Sequence, residues 1–251
     1  AGTRVAVKKF FDSTVSSSAF EREAALLADL RHPNVVQLIK VGARPVPCIV
    51  TELMVCSLHA LLHQEGGGAL RESLLQRSAV PTICMHIAAG MTYLHTLDPP
   101  VLHRNLKSQN LLLDSGGRVK VSDFGWSRLK DADSGKTFFH GWQWVAPEIL
   151  SGGRFSEQAD IYSFAMVAWE VLTRTLPFQG MNPVQIGIEV REKQLRPPLP
   201  PECPNGFGEL LGLCWHEQVE RRAAFGTVLD QLRASAGEFE GGPASAFRQV
   251  A

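Results

Sequence analysis

The stretch "NLLLDSGGRVKVSDFG", Asn110 to Gly125, limits what this chain can fold into more than any other. "LLLD" and "RVKV" alternate like two short strands, and "SGG" between them supplies a tight turn, so the segment predicts a hairpin. A hairpin sets its open ends side by side, and here those ends carry Asn110 and Asp123. An amide oxygen and a carboxylate are hard ligands suited to magnesium. Gly125 frees the backbone just beyond Asp123, where the chain must leave the sheet. Whatever the fold, it has to present this end of the hairpin to a cleft.

The remaining pattern says where such a cleft lies. "RVAVKKF" (Arg4 to Phe10) alternates as a strand. "SSAFEREAALLADL" changes period: Ser18 and Glu21 have capping-box spacing, and Phe20, Ala24, Leu27 and Leu30 share one helical face. "VVQLIKV" and "CIVTEL" read as two further strands around a turn at Arg44 to Pro47. Beyond Met54 the helical period takes over. "SLHALLH" predicts a short helix and "PTICMHIAAGMTYLH" a long one, with Pro81 in its first turn or at a kink. "QADIYSFAMVAWEVLTR" is apolar nearly all round, so it predicts a buried helix. The expected architecture is α+β: a small β-rich lobe at 1–54, a larger α-helical lobe at 55–236, and a Gly-, Ala- and Ser-rich tail at 237–251. The cleft between two such lobes is a favoured ligand site.

Composition narrows the function classes. Lys plus Arg and Asp plus Glu number 25 each, which leaves no electrostatic footprint for nucleic acid or an anionic membrane. Apolar runs such as Ile161 to Trp169 are too short and interrupted for membrane insertion. The five cysteines, an odd number with no C-x-x-C pair, read as free thiols in a reducing compartment, and a cytoplasmic setting is expected.

Charged residues fall at spacings that suit particular partners. Lys8 precedes by fifteen positions Glu23, on the helix face that must pack against the sheet. An ion pair there would aim the ammonium at phosphate oxygens; as a surface pair it would contribute little. Glu148 in "WVAPEIL" has a plausible partner in Arg222 of "VERRAAF", and Asp160 is placed to accept from backbone N–H groups near "HRNLKSQN".

Taken in order, "VAVK", Glu23, "HRNLKSQN", "DFG", "APE" and "ADIYSF" resemble the signature set of protein kinases. The wording of "FEREAALLADLRHPNVVQLIKVG", "GMTYLH" and "DIYSFAMVAWEVLT" is similar to the tyrosine-kinase-like group, the Raf-like and mixed-lineage kinases. The resemblance covers residues 3 to 235 and implies a bilobal kinase fold, ATP and Mg2+ as cofactors, and a protein substrate or scaffold partner. By position it implies that Lys8 holds the α- and β-phosphates, Glu23 holds Lys8, and Asn110 and Asp123 hold metal. Thr51 resembles the gatekeeper, and the backbone from Glu52 to Met54 the hinge that pairs with adenine. Ala6 and Leu112 would sandwich the ring, and Lys107 would contact the γ-phosphate. Leu27, Leu38, His103 and Phe124 resemble the packed column that aligns the lobes.

Three departures from the family pattern stand out. Asn105 occupies the position of the catalytic aspartate, whose carboxylate accepts the substrate hydroxyl's hydrogen bond. In "FFHGWQWVAPE", Gly141 lies three before Trp144 and Trp142 follows it, whereas relatives have a glycine four before that tryptophan and then a threonine, which normally bonds the same aspartate. Only seven residues precede Lys8, so the Gly-rich loop expected upstream is missing and the small lobe reads as truncated. Two readings follow: a pseudokinase acting in signalling as scaffold or allosteric partner, and a weak Ser/Thr kinase. Ser134 or Thr137 is a further expectation, as a phosphosite docking on Arg104.

Overall fold

The computed structural model describes residues 2, 4–10, 17–42, 46–64, 68–124, 128–129 and 141–239. Three antiparallel strands come first in space, β1 (Val5–Lys9), β2 (Leu38–Gly42) and β3 (Cys48–Glu52), in the order β1-β3-β2. The register sets Ala6 opposite Thr51 and Lys8 opposite Ile49. Helix α1 (Ser17–Asp29) buries Glu23, Ala24 and Leu27, Leu30 just beyond its end is buried as well, and Phe20 of the predicted face is half-buried. It begins at Ser17, so Ser18 falls inside the first turn rather than at the cap, and its side chain lies outside the described residues.

The strand expected from Val35 onward starts at Leu38 instead, with an irregularity between Leu38 and Lys40. Val35 and Val36 have another partner. After β4 (Cys56–Ser57), the helices α2 (Leu58–His63), α3 (Ala69–Leu74) and α4 (Ala79–His95), and the short strand β5 (Val101–Leu102), comes the predicted hairpin, β6 (Leu111–Leu113) and β7 (Val119–Val121). Val36 N–H donates to the Val121 carbonyl at 2.9 Å, and Val121 N–H donates to the Asn34 carbonyl at 2.9 Å. The chain between α1 and β2 is thus bonded to the hairpin of the helical part. Gly90 of α4 permits this approach, because a Cβ there would stand 2.5 Å from the Asn34 carbonyl oxygen. Pro81 sits in the first turn of α4, as expected.

Strand β8 (Arg128–Leu129) pairs with β5, and the helices α5 (Pro147–Leu150), α6 (Glu157–Thr173), α7 (Pro183–Glu192), α8 (Asn205–Cys214) and α9 (Phe225–Ser235) complete the chain. In α6 every residue from Ala159 to Leu172 is buried except Ser163. A helix apolar on all sides has no face to offer water, so it becomes the axis around which the others pack. The five cysteines are free. No helix among the described residues is long and apolar enough to cross a membrane.

Candidate active site

The hairpin forms as its sequence requires, and its open end is pinned. Ser122 N–H and Oγ both donate to the Asn110 carbonyl, at 2.9 and 2.8 Å. His103 Nε2 bonds the Ser122 carbonyl at 2.9 Å, and its ring stands edge-on to Phe124. Asn110 gives an amide hydrogen to the Asn105 carbonyl at 2.8 Å, which leaves its side-chain oxygen as an acceptor.

Lys8 reaches across from β1. Its Nζ lies 2.8 and 2.9 Å from the two Glu23 oxygens and 3.3 Å from Asp123 Oδ1. Burial alone would push the Lys8 ammonium down, but Glu23 and then Asp123 outweigh it and hold it above the ordinary lysine value. The fifteen-residue spacing therefore produces a bidentate pair, with the lysine half exposed toward the cleft. Leu38 is half-buried, while Leu27, His103 and Phe124 are buried.

A cavity of about 290 Å³ opens here, lined by Lys8, Glu23, Thr51, Asn110, Leu112 and Asp123 among others. Ala6, Glu52, Met54, Asn105 and Lys107 are not in its lining. Asn105 stands beside it: its Nδ2 donates to Asp123 Oδ2 at 3.4 Å. Facing a carboxylate, an amide presents its N–H side, so Asn105 spends a donor on Asp123. Burial pushes the Lys107 ammonium below the usual value, opposed by Asp123.

Two backbone positions at the site are left-handed without being glycine, Arg104 at φ 66° and Asp123 at φ 63°. Such geometry costs about 1–3 kcal/mol per residue and persists only where neighbours impose it. Asp160 of α6 imposes the first. Its carboxylate accepts from His103 N–H at 2.8 Å, Arg104 N–H at 2.9 Å and bonds His95 Nε2 at 3.0 Å. The expected Glu148–Arg222 pair also forms, bidentate at 2.7 and 2.9 Å, with the arginine side chain fully buried. Gly141 adopts φ 89°, and a Cβ on it would meet Trp144 Cε3 at 2.9 Å. Trp142 fills space over Gly187 of α7. Ser134 and Thr137 lie outside the described residues.

Some partners were not read from the sequence. Glu52 turns its side chain away from the cavity and pairs with Lys120 of β7 at 2.7 Å, bonding the end of β3 to the hairpin. Glu170, wholly buried in α6, accepts from Ser108, His63 and Trp144. A single charge inside "MVAWEVL" was the available signal, since a buried carboxylate requires donors.

A sequence profile described as protein tyrosine and serine/threonine kinase matches residues 1–232. The chain is 36% identical over 249 residues to a probable serine/threonine-protein kinase, drkD, of Dictyostelium discoideum, covering 95% of this chain and 18% of that protein. It is 40% identical over 216 residues to the serine/threonine/tyrosine-protein kinase HT1 of Arabidopsis thaliana, covering 85% and 54%. A putative serine/threonine-protein kinase/receptor, R826, of Acanthamoeba polyphaga mimivirus is 34% identical over 237 residues, covering 90% and 14%. The chain spans between 13% and 54% of the length of the curated relatives it matches.

Proposed function

The chain belongs to the protein tyrosine and serine/threonine kinase family, and on that premise we propose that its cleft binds ATP with magnesium while phosphoryl transfer is impaired at Asn105. The domain then serves signalling as a scaffold or allosteric partner, in a cytoplasmic setting and with affinities to the tyrosine-kinase-like group. Residues 1–54 act as the small lobe, 55–236 as the large one, and 237–251 as a tail.

The residues present fit the ligand. The Lys8–Glu23 pair supports a role for Lys8 as a fixed cation for the α- and β-phosphates, with Asn110 and Asp123 as oxygen ligands for metal. Thr51 and Leu112 line the same cavity and suit the adenine end, with Ala6 opposite Thr51 and the hinge running from Glu52 to Met54. Lys107 is assigned to the γ-phosphate. Bound nucleotide supplies the phosphoryl group, and magnesium neutralises its charge.

The observation that carries the impairment is the Asn105 amide donating to Asp123 Oδ2 at 3.4 Å. An aspartate there would accept from a substrate hydroxyl. Asparagine keeps one acceptor oxygen but has no basicity, a loss of about 10²–10⁴ in rate. A second reading, a weak Ser/Thr kinase, is favoured by the intact Lys8–Glu23 pair, because phosphoryl transfer relies mostly on positioning and electrostatics.

Thermal melting of the full-length protein tests the nucleotide site. A Tm rise that needs ATP and Mg2+ together and disappears in Asp123→Ala supports it; no rise at saturating ATP refutes it. Phosphotransfer that matches an ordinary active kinase without any change at Asn105 would refute the impairment.

A further inference from the structure

Behind the catalytic loop, away from the nucleotide cleft, a second group of ligating side chains converges. His59 and His63 lie four apart on α2, so both rings project from one side of the helix, with centroids 4.8 Å apart. Between them and the core stands Glu170 of α6, fully buried. His63 Nε2 is 2.8 Å and His59 Nδ1 3.9 Å from Glu170 Oε1, and one ligand atom from each of the three residues lies within 4.8 Å of the others.

Two features point beyond a simple hydrogen-bond cluster. The first is charge. Glu170 is surrounded by donors, Ser108 Oγ at 2.6 Å and Trp144 Nε1 at 3.1 Å besides His63, which marks it as ionised. Among the described residues no lysine or arginine pairs with it, and a buried carboxylate needs a counter-charge. The second is an orphan. The Gln109 amide nitrogen lies 3.4 Å from His59 Nδ1, while its side-chain oxygen is buried with no hydrogen-bond partner among the described residues. Turned end for end, that amide offers an oxygen beside His59.

We propose that His59, His63 and Glu170 form a binding site for a transition-metal dication of the zinc type, with the Gln109 amide oxygen or water as fourth ligand. Four-coordinate zinc with bonds near 2.0–2.2 Å sets its donor atoms roughly 3.3 Å apart. The 2.8 and 3.9 Å separations bracket that value, and His59, 28% exposed, has room to close the longer one. Ser108 and Trp144 hold the carboxylate in place behind the ligands. The site ties α2 and α6 to the 3₁₀ turn Ser108–Asn110, and Gln109 lines the nucleotide cavity from the other side. Metal there braces the loop that carries Asn105 and Asn110.

The test is done without nucleotide, so it stands apart from the ATP reading. The 251-residue chain is stripped with chelator, then melted with and without zinc and titrated with Co2+. At zinc 100-fold above Kd the expected Tm rise is about 5–10 °C, and Co2+ should give the strong visible bands of four-coordinate nitrogen and oxygen ligation. His59→Ala, a change at a partly exposed residue, should weaken metal binding at least tenfold; loss of the Co2+ bands reports this even if the metal-free Tm moves. Three results overturn the proposal: no Tm rise with zinc, binding that persists undiminished in His59→Ala, or near-ultraviolet cobalt–thiolate absorption that assigns the metal to cysteines.

Discussion

Restoring the missing carboxylate with Asn105→Asp should raise phosphotransfer and lower the stability of the nucleotide-free protein. The present amide nitrogen sits 3.4 Å from Asp123 Oδ2. An aspartate oxygen in that place sets two negative charges at the same separation, a repulsion of about 5 kcal/mol at an effective dielectric of 20 and about 1.2 kcal/mol at 80. Asp123 is 34% exposed and has the Lys8 ammonium 3.3 Å from its other oxygen, so the cost falls toward the lower figure, about 1–2 kcal/mol. For a domain of this size that is a Tm lower by roughly 2–8 °C. Mg2+ held with ATP at Asn110 and Asp123 would offset part of the Asp123 charge and should narrow the gap. The rate gain starts from about 10²–10⁴ for a positioned acid–base group. Gly141 offers no hydroxyl to the restored aspartate, which removes about one hydrogen bond, roughly tenfold, leaving a gain of about 10–10³. Single-turnover transfer to a generic protein substrate measures the gain, and melting curves with and without Mg·ATP measure the cost. A gain below about threefold, or an unchanged Tm without nucleotide, would refute the reasoning.

Arg222→Leu strands Glu148 and should cost about 3–5 kcal/mol, a Tm lower by roughly 6–20 °C, because the arginine is fully buried and bonded twice to that carboxylate. Gly141→Thr, which restores the family wording, should by itself destabilise by about 1–3 kcal/mol, since its φ of 89° and the 2.9 Å approach of Trp144 both oppose a side chain; an unchanged Tm would mean the segment adopts another path. Burial pushes the Asp160 carboxyl up, but His95, His103 and the loop N–H groups outweigh it and hold it below the usual 3.8. Its contribution is therefore complete above about pH 4 and is lost as pH falls through the lowered folded value, so Asp160→Asn should melt lower at pH 7 and show a shallower acid limb in Tm against pH.

What could be read from the sequence was whatever short-range periodicity or fixed spacing determines. The hairpin from Leu111 to Val121 and the buried helix at Glu157–Thr173 follow from period alone, and both stand where the pattern puts them. Lys8 with Glu23 follows from a strand and a helix that must pack face to face. Periodicity does not name partners, however. Val35 and Val36 alternate like strand residues, but the Val36 amide and the neighbouring Asn34 carbonyl are bonded to Val121 and not to the first sheet. His59 and His63 look like the polar side of a short helix, and their meaning rests on Glu170, more than a hundred residues away. The backbone strain at Arg104 and Asp123 is equally silent in the sequence, because neither residue is a glycine.

These features separate the residues that hold the fold from the one that would orient a substrate. Asp160, the Glu148–Arg222 pair, the Glu170 cluster and the Glu52–Lys120 pair fix the loop, the hairpin and α6 without using the Asn105 side chain. Asn105 itself joins the array through its backbone, which accepts from Asn110, and through one amide hydrogen given to Asp123. An aspartate would keep the first contact and turn the second into repulsion. The nucleotide-free fold is thus better satisfied by asparagine, and only a reaction that needs the carboxylate would oppose the exchange. The same substitution can leave a nucleotide site assembled and stable while removing the group that orients an acceptor hydroxyl, which is the combination of properties a kinase-fold scaffold requires.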